Sequence, residues 1–231
     1  MNNNKQSSKK FWLLVALLIG PLVFYLLILT GENKFRPLSV LQKNVIDIAS
    51  LAPNQKVQFK DKISVLCLFG DDLLQHKTNA LNLNEKIYKR FNGFENFQFV
   101  VLLPKGSEEK AQQLKKELAF NTNINNWNFL FTSKESIQTL FNSLHTNLSL
   151  NDKSYISQAF IIDKDVSLRG RKKDDDFPDG LLYGYDAETV SQIHQKMVDD
   201  VKILLAEYRL ALKKNKKKDV FKNPYKEKSE D

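Results

Sequence analysis

One cysteine, Cys67, occurs in 231 residues, and that scarcity excludes most thiol chemistry at once. A single sulfur builds no intramolecular disulfide, no Cys-x-x-Cys redox pair and no cysteine-based zinc site. Histidine is also rare: His76, His145 and His194 are the three, and the latter two lie isolated on predicted helices with no partner that would make either a general base. The eight glycines are dispersed, so there is no glycine-rich phosphate loop, and no zinc-protease signature is present.

What the chain does have is a long uncharged run. Phe11 to Thr30 is twenty residues without a charge, fourteen of them Leu, Ile, Val or Phe. As a helix it is about 30 Å long, the thickness of a bilayer's hydrocarbon core. Its length and the poor cleavage site at Thr30, Gly31, Glu32 argue for a retained anchor over a cleaved signal peptide. Lys5, Lys9 and Lys10 precede the run, while Lys34, Arg36 and Lys43 are more widely spread after it. By the positive-inside rule this predicts a cytoplasmic N-terminus and an extracytoplasmic domain in a single-pass cell-membrane protein. The expected organisation is a leader over 1–10, a transmembrane helix over 11–30, a linker over 31–56, one domain over 57–212 and a lysine-rich tail over 213–231.

The formal charge of +8 comes from 35 basic and 27 acidic residues, and Lys213 to Lys218 (KKNKKK) carries five of the positive charges. Such a run suggests anionic lipid or nucleic acid, and an extracytoplasmic location argues against nucleic acid. The simpler expectation is a solvated, disordered terminus. Cys67 sits within the apolar run Ile63 to Phe69 (ISVLCLF), where cysteine packs as a small hydrophobe. The alternative is a lone reactive thiol, the basis of a one-cysteine reductase or peroxidase.

Past the anchor, strand-like apolar runs alternate with helix-like periodicity. Ile63 to Phe69, Phe97 to Leu103 and Trp127 to Phe131 read as strands, and helices are expected over 74–91, after Ser107 and after Ser133. Gln158 to Ile162 and Val166 to Arg169 flank Asp163, Lys164 and Asp165 as a hairpin. Asp186 then opens the longest helix, striped by Val190, Ile193, Met197, Val201 and Leu204. Strands alternating with helices imply an α/β domain with a largely parallel sheet and an antiparallel edge from the hairpin.

That order resembles the thioredoxin-like plan, and three segments resemble the Sco/SenC family of membrane-anchored copper proteins that help assemble cytochrome oxidase. They are Phe59 to Gly70 (FKDKISVLCLFG), Phe97 to Leu118 (FQFVVLLPKGSEEKAQQLKKEL) and Ser157 to Gly170 (SQAFIIDKDVSLRG). The resemblance implies a mixed sheet flanked by helices behind one transmembrane helix. The family's two metal cysteines would fall at Leu74 and Thr78 and its histidine at Ile156, so all three copper ligands are missing. Copper(I) favours thiolates, and no cofactor is expected. The proline that precedes the redox site's strand in thioredoxins is also absent, since the segment reads Tyr155, Ile156, Ser157, Gln158.

Two other oxygen-rich places remain. Asp71, Asp72 and His76 occupy the former metal loop and offer ligands for a harder divalent ion, hence metal delivery. The competing reading makes the aspartates helix caps and leaves His76 on a wet face. Asp174, Asp175, Asp176 and Asp179 lack calcium-loop spacing and read as a solvated loop. A non-catalytic, membrane-tethered binding domain is the reading that remains, with a respiratory oxidase or its assembly factors as the expected partner. The candidate surface is Arg169, Phe177, Leu181, Tyr183 and Tyr185, because aromatics with arginine are frequent interface anchors. The competing view folds these apolar residues onto the long helix as core.

Overall fold

The computed structural model describes residues 3–30, 37–51 and 56–222. They fall into two compact units, one within Met1–Arg36 and one within Pro37–Asp231. In the first, α1 (Asn3–Thr30) is a continuous helix with Pro21 inside it. Its stretch Lys10–Ile28 is long and apolar enough to cross a membrane.

The second unit is built on a sheet of order β1-β6-β5-β2-β3-β4, with β7 paired to β5. β1 is Ser39–Gln42, and the single-turn helix α2 (Ile48–Leu51) follows. β2 (Ile63–Leu68) lies at the centre of the sheet with every residue buried. A helix then runs from α3 (Lys77–Leu83) through a π-helical turn (Asn84–Tyr88) into α4 (Lys89–Phe91). β3 (Phe97–Pro104) returns parallel to β2. α5 (Glu108–Ala119) and β4 (Trp127–Thr132), parallel to β3, come next, and then α6 (Lys134–Ser143). The hairpin β5 (Gln158–Ile162) and β6 (Leu168–Gly170) is antiparallel to β2 through β5. β7 (Tyr185–Asp186) leads into α7 (Val190–Gln192), a second π-helical turn (Ile193–Met197) and α8 (Val198–Lys222).

Two parallel strands joined by a helix, followed by an antiparallel hairpin and a closing helix, make this a thioredoxin-like fold, with α5 and β4 adding a parallel edge. The period of two along β2 feeds both faces. Ile63, Val65, Cys67 and Phe69 pack with the helices of 77–91, α5 and α7–α8. Leu66 and Leu68 pack with Val45, Ile48 and α6. The hairpin forms where its turn residues stood: Asp163 Oδ1 accepts the N–H groups of Asp165 and Ser167, both at 2.9 Å. Ser133 caps α6 by accepting the Ser136 N–H at 3.2 Å.

Several expectations change. The segment 31–56 is not simply a linker, because β1 pairs with β6, Ser39 opposite Gly170, and Val45 and Ile48 are core residues. Four residues are too few to show alternation, so only the pairing reveals this strand. Residues 31–36 and 52–55 lie outside the described ones. The helix expected from Leu74 begins at Lys77. The lysine run continues α8 as helix to Lys222 where a disordered tail was expected, and 223–231 lie outside the described residues. Asp186 stands four residues before α7 and holds its entry turn, accepting from Glu188 N at 3.1 Å and Thr189 Oγ1 at 2.6 Å.

Candidate functional site

β2 ends at Leu68, Phe69 and Gly70 follow it, and the segment before the hairpin lies directly across that end. Phe69 bridges Tyr155, Ile156 N–H donates to Leu68 O at 3.1 Å, and Asp71 N–H donates to Lys153 O at 3.2 Å. Gly70 has φ +67°, and a Cβ there would lie 2.6 Å from Lys153 O. Only glycine suits a positive φ under so close a crossing.

Tyr155 is the centre of what fills this end. Its ring stacks on His76 with centroids 3.6 Å apart and planes at 13°. Its hydroxyl accepts from Asn79 Nδ2 at 2.9 Å and donates to Glu188 Oε1 at 2.6 Å. Burial, then the bond to Glu188 and its charge, push the Tyr155 hydroxyl pKa well up, so it stays a neutral donor. In the sequence this position stands out only by the proline it lacks. The signal available was an aromatic residue at the end of a polar stretch, three residues before a strand.

Around the stack, lysines take up the aspartates. Asp72 pairs with Lys153, and Lys110 Nζ is 3.9 Å away. The Lys153 hydrogen bond, against desolvation and with the charges of Lys153 and Lys110, holds the Asp72 carboxyl below its usual range. Lys134 Nζ donates to Asp71 Oδ2 at 3.0 Å, and Lys110 Nζ donates to the Asp71 carbonyl at 2.6 Å. Neither aspartate caps a helix: the N-cap residue of α3 is His76, without a side-chain cap bond. Nor is His76 on a wet face, since it is half-buried under Tyr155.

Asp71, Asp72 and His76 therefore do not converge. Among the described residues no three His, Cys, Asp or Glu side chains come together as a metal would need. Leu74, Thr78 and Ile156, where the sequence resemblance would put copper ligands, offer no soft donor, and Ile156 is buried. In the 174–179 loop, Lys196 Nζ donates to Asp174 Oδ1 and Asp176 Oδ2 at 2.5 Å each, and Asp179 accepts from Asn147 Nδ2 at 2.9 Å. A lysine occupies the place a calcium ion would take. Cys67 is fully buried, and burial pushes its thiol pKa far up. An enclosed neutral thiol is not a nucleophile.

The five candidate surface residues separate into two groups. Arg169 is buried and binds Asp163 Oδ2 at 3.0 Å and also Glu207. Tyr185 is buried too, donating to Asp200 Oδ2 at 2.6 Å. The same carboxylate accepts from Arg171 Nε at 2.7 Å and Arg171 NH2 at 3.0 Å. These two are not on the surface: an arginine at strand period and a tyrosine on β7 point inward, and together they tie α8 to the sheet. Phe177, Leu181 and Tyr183 are half-buried and line a cleft of about 370 Å3 with Asn147, Gln158 and Gln192. Lys196 Nζ lies 5.6 Å from the Phe177 ring centroid.

Topology and site together define a thioredoxin-like domain whose customary reaction end is filled by its own side chains. Solved structures similar to it include a SCO1/SenC family lipoprotein from Bacillus anthracis str. Ames, 14% identical, covering 76% of this chain and 99% of that one, TM-score 0.48. Apo Sco1 from Thermus thermophilus is 14% identical over 71% of this chain and 96% of its own, TM-score 0.43. A putative protein disulfide isomerase from Bacteroides thetaiotaomicron is 11% identical over 74% and 95%, TM-score 0.48. No protein-family model matches the chain, and no curated protein matches it significantly.

Proposed function

We propose that this chain is a membrane-tethered, non-catalytic thioredoxin-like domain that binds a protein partner, and that the partner is a respiratory oxidase or one of its assembly factors. α1 is the anchor, its N-terminus cytoplasmic and the domain extracytoplasmic, with the domain running from about residue 57 to 212 plus the β1–α2 segment before it. The observation that carries this reading is a contrast. The end of β2, where a thiol or metal would act, is filled by the His76–Tyr155 stack and lysine–aspartate pairs. The neighbouring cleft lined by Phe177, Leu181 and Tyr183 stays open. Aromatic and aliphatic side chains around a concave surface are the usual anchors of an interface, and a membrane tether raises the effective concentration toward a membrane partner. The oxidase as partner comes from the Sco/SenC resemblance.

The test is affinity capture of full-length protein from its native membranes in mild detergent, with mass spectrometry of what accompanies it. Wild type should enrich oxidase subunits or their assembly factors, and the triple variant Phe177→Ala, Leu181→Ala, Tyr183→Ala should lose at least about tenfold of that enrichment, as removal of central anchors does. Equal enrichment by both proteins would remove the cleft from the reading, and absence of oxidase components from both would remove the partner.

A further inference from the structure

A second cleft, of about 260 Å3, opens where β2 and β3 begin, at the end of the sheet away from the His76–Tyr155 stack. Its floor is Ile63, Leu205 and Tyr208. Ile63 is a core residue, and Leu205 and Tyr208 pack on that core while remaining half-buried. The Ile63 N–H is spent on Asn96 O at 2.7 Å, and neither Ile63 nor Leu205 has a polar side-chain atom, so a polar group set against them would lose its hydration without return. Phe94 lines the same cleft and is 44% exposed, against 4% for Phe91 and 1% for Phe97 on either side of it. It is not a frayed end, because its N–H donates to Phe91 O at 3.0 Å and its carbonyl accepts from Phe97 N–H at 2.9 Å. Positive charge completes the lining, in Lys164 and Arg209. Lys164 Nζ stands 5.2 Å from the Tyr208 ring centroid, and the turn that carries it is tied to the segment before β2 by Asp61 N–H, which donates to Lys164 O at 3.0 Å. The carboxylates nearest these cations in the chain are engaged elsewhere: Asp165 with Lys60 at 3.5 Å, and Asp163 and Glu207 with Arg169. Lys164 and Arg209 therefore have no ion pair among the described residues, and Glu95 is the single carboxylate in the lining.

We propose that this cleft binds a medium-chain fatty acid, its carboxylate between Lys164 and Arg209 and its acyl chain on Ile63, Leu205, Tyr208 and Phe94. The ligand follows from the lining. An apolar floor calls for a chain without polar groups, and each methylene covered there tightens binding by up to about fourfold. Two unpaired cations at one cleft call for an anion at the end of that chain, and a carboxylate held by an ammonium and a guanidinium makes charge-assisted hydrogen bonds. Two cations less the Glu95 carboxylate leave one net positive charge, which matches a singly charged carboxylate and not a phosphate monoester. The volume lies below the roughly 300–1,000 Å3 of pockets for drug-sized ligands, which limits the occupant to one short chain and excludes a two-tailed lipid. This cleft is separate from the one lined by Phe177, Leu181 and Tyr183, and its ligand does not depend on a protein partner binding there.

The test is photolabelling. Full-length protein in phosphatidylcholine nanodiscs is irradiated with decanoic acid carrying a diazirine near its chain end, and the labelled peptides are identified by mass spectrometry. Probe dissolved in the bilayer labels the scaffold protein of the disc and sets the reference. Peptides containing Phe94 and residues 205–209 should carry label that excess decanoate displaces. Lys164→Gln with Arg209→Gln should lower that labelling at least about tenfold relative to the scaffold, while Lys164→Arg should keep it, since the charge remains. Label absent from the cleft peptides, label that survives the double Gln variant, or displacement as strong by decanol as by decanoate would each overturn the proposal. Stronger displacement by N-acetyl-leucine than by decanoate would overturn it too and transfer the cleft to the carboxyl terminus of a peptide.

Discussion

Carboxylates meet cations in two regions of this domain, and the same pairing has different consequences in each. At the end of β2, Asp71 and Asp72 meet Lys110, Lys134 and Lys153 with side chains one-third or more exposed. Between α8 and the sheet, Arg169, Arg171 and Lys196 meet Asp163, Asp174 and Asp200, whose carboxylates are almost wholly buried. Exposed pairs in water gain little net energy. Buried ones have lost their hydration, so each partner depends on the other being present. The first region closes a surface, and the second holds the closing helix in place.

The strongest way to break the comparison is Asp200→Ala. It strands the Arg171 guanidinium and the buried Tyr185 hydroxyl together, and unfolding in urea should show a loss of about 3–5 kcal/mol. A loss below 1 kcal/mol would mean that water reaches this network and that burial does not separate the two regions. Next comes acid. For Asp174, burial works to raise the carboxyl pKa, but hydrogen bonds from Lys196 and the Asp176 N–H, and the charges of Lys196 and Arg171, outweigh it, and the net shift is downward. A lowered folded-state pKa contributes stability above the unfolded value of about 3.9, lost as pH falls through the folded value. Asp174→Asn should therefore cost about 1.5–3 kcal/mol near neutral pH, and its deficit against wild type should shrink below about pH 4. A deficit independent of pH between 3 and 7 would assign the effect to packing. The smallest effect is expected for Lys153→Ala, which should leave the urea midpoint within measurement error, as surface pairs usually do.

Much of the fold was legible in the residues, for identifiable reasons. Phe97–Pro104 and Ile63–Leu68 are continuous apolar runs of strand length, and both are central strands. Ser133 reads as a cap and is one. Asp163 reads as a turn residue and binds two turn N–H groups. Ser39–Gln42 was not legible, because a four-residue edge strand takes its identity from β6. At the site, the lack of a second cysteine followed from composition. The replacement did not: Tyr155 and His76 are 79 positions apart in the chain, and no local pattern says that they stack.

The surface candidates divide along the same line. Phe177, Leu181 and Tyr183 are half-buried and line a cleft, with Phe177 and Tyr183 packed against the core. Arg169 and Tyr185 look identical to them by composition but turn inward, because Asp163, Glu207 and Asp200 wait there as partners from other elements.

Taken alone, the chain's residues determined the apolar span of α1, the alternation of strands and helices, the burial of Cys67 and the absence of soft metal ligands. All of these follow from local composition and period, which report what a segment is made of and which face it hides. Tertiary structure alone decided that β1 joins the sheet, that lysines neutralise Asp71, Asp72 and Asp174, and that Tyr155 lies over Gly70. Each depends on residues far apart in the chain meeting, and periodicity carries no information about partners.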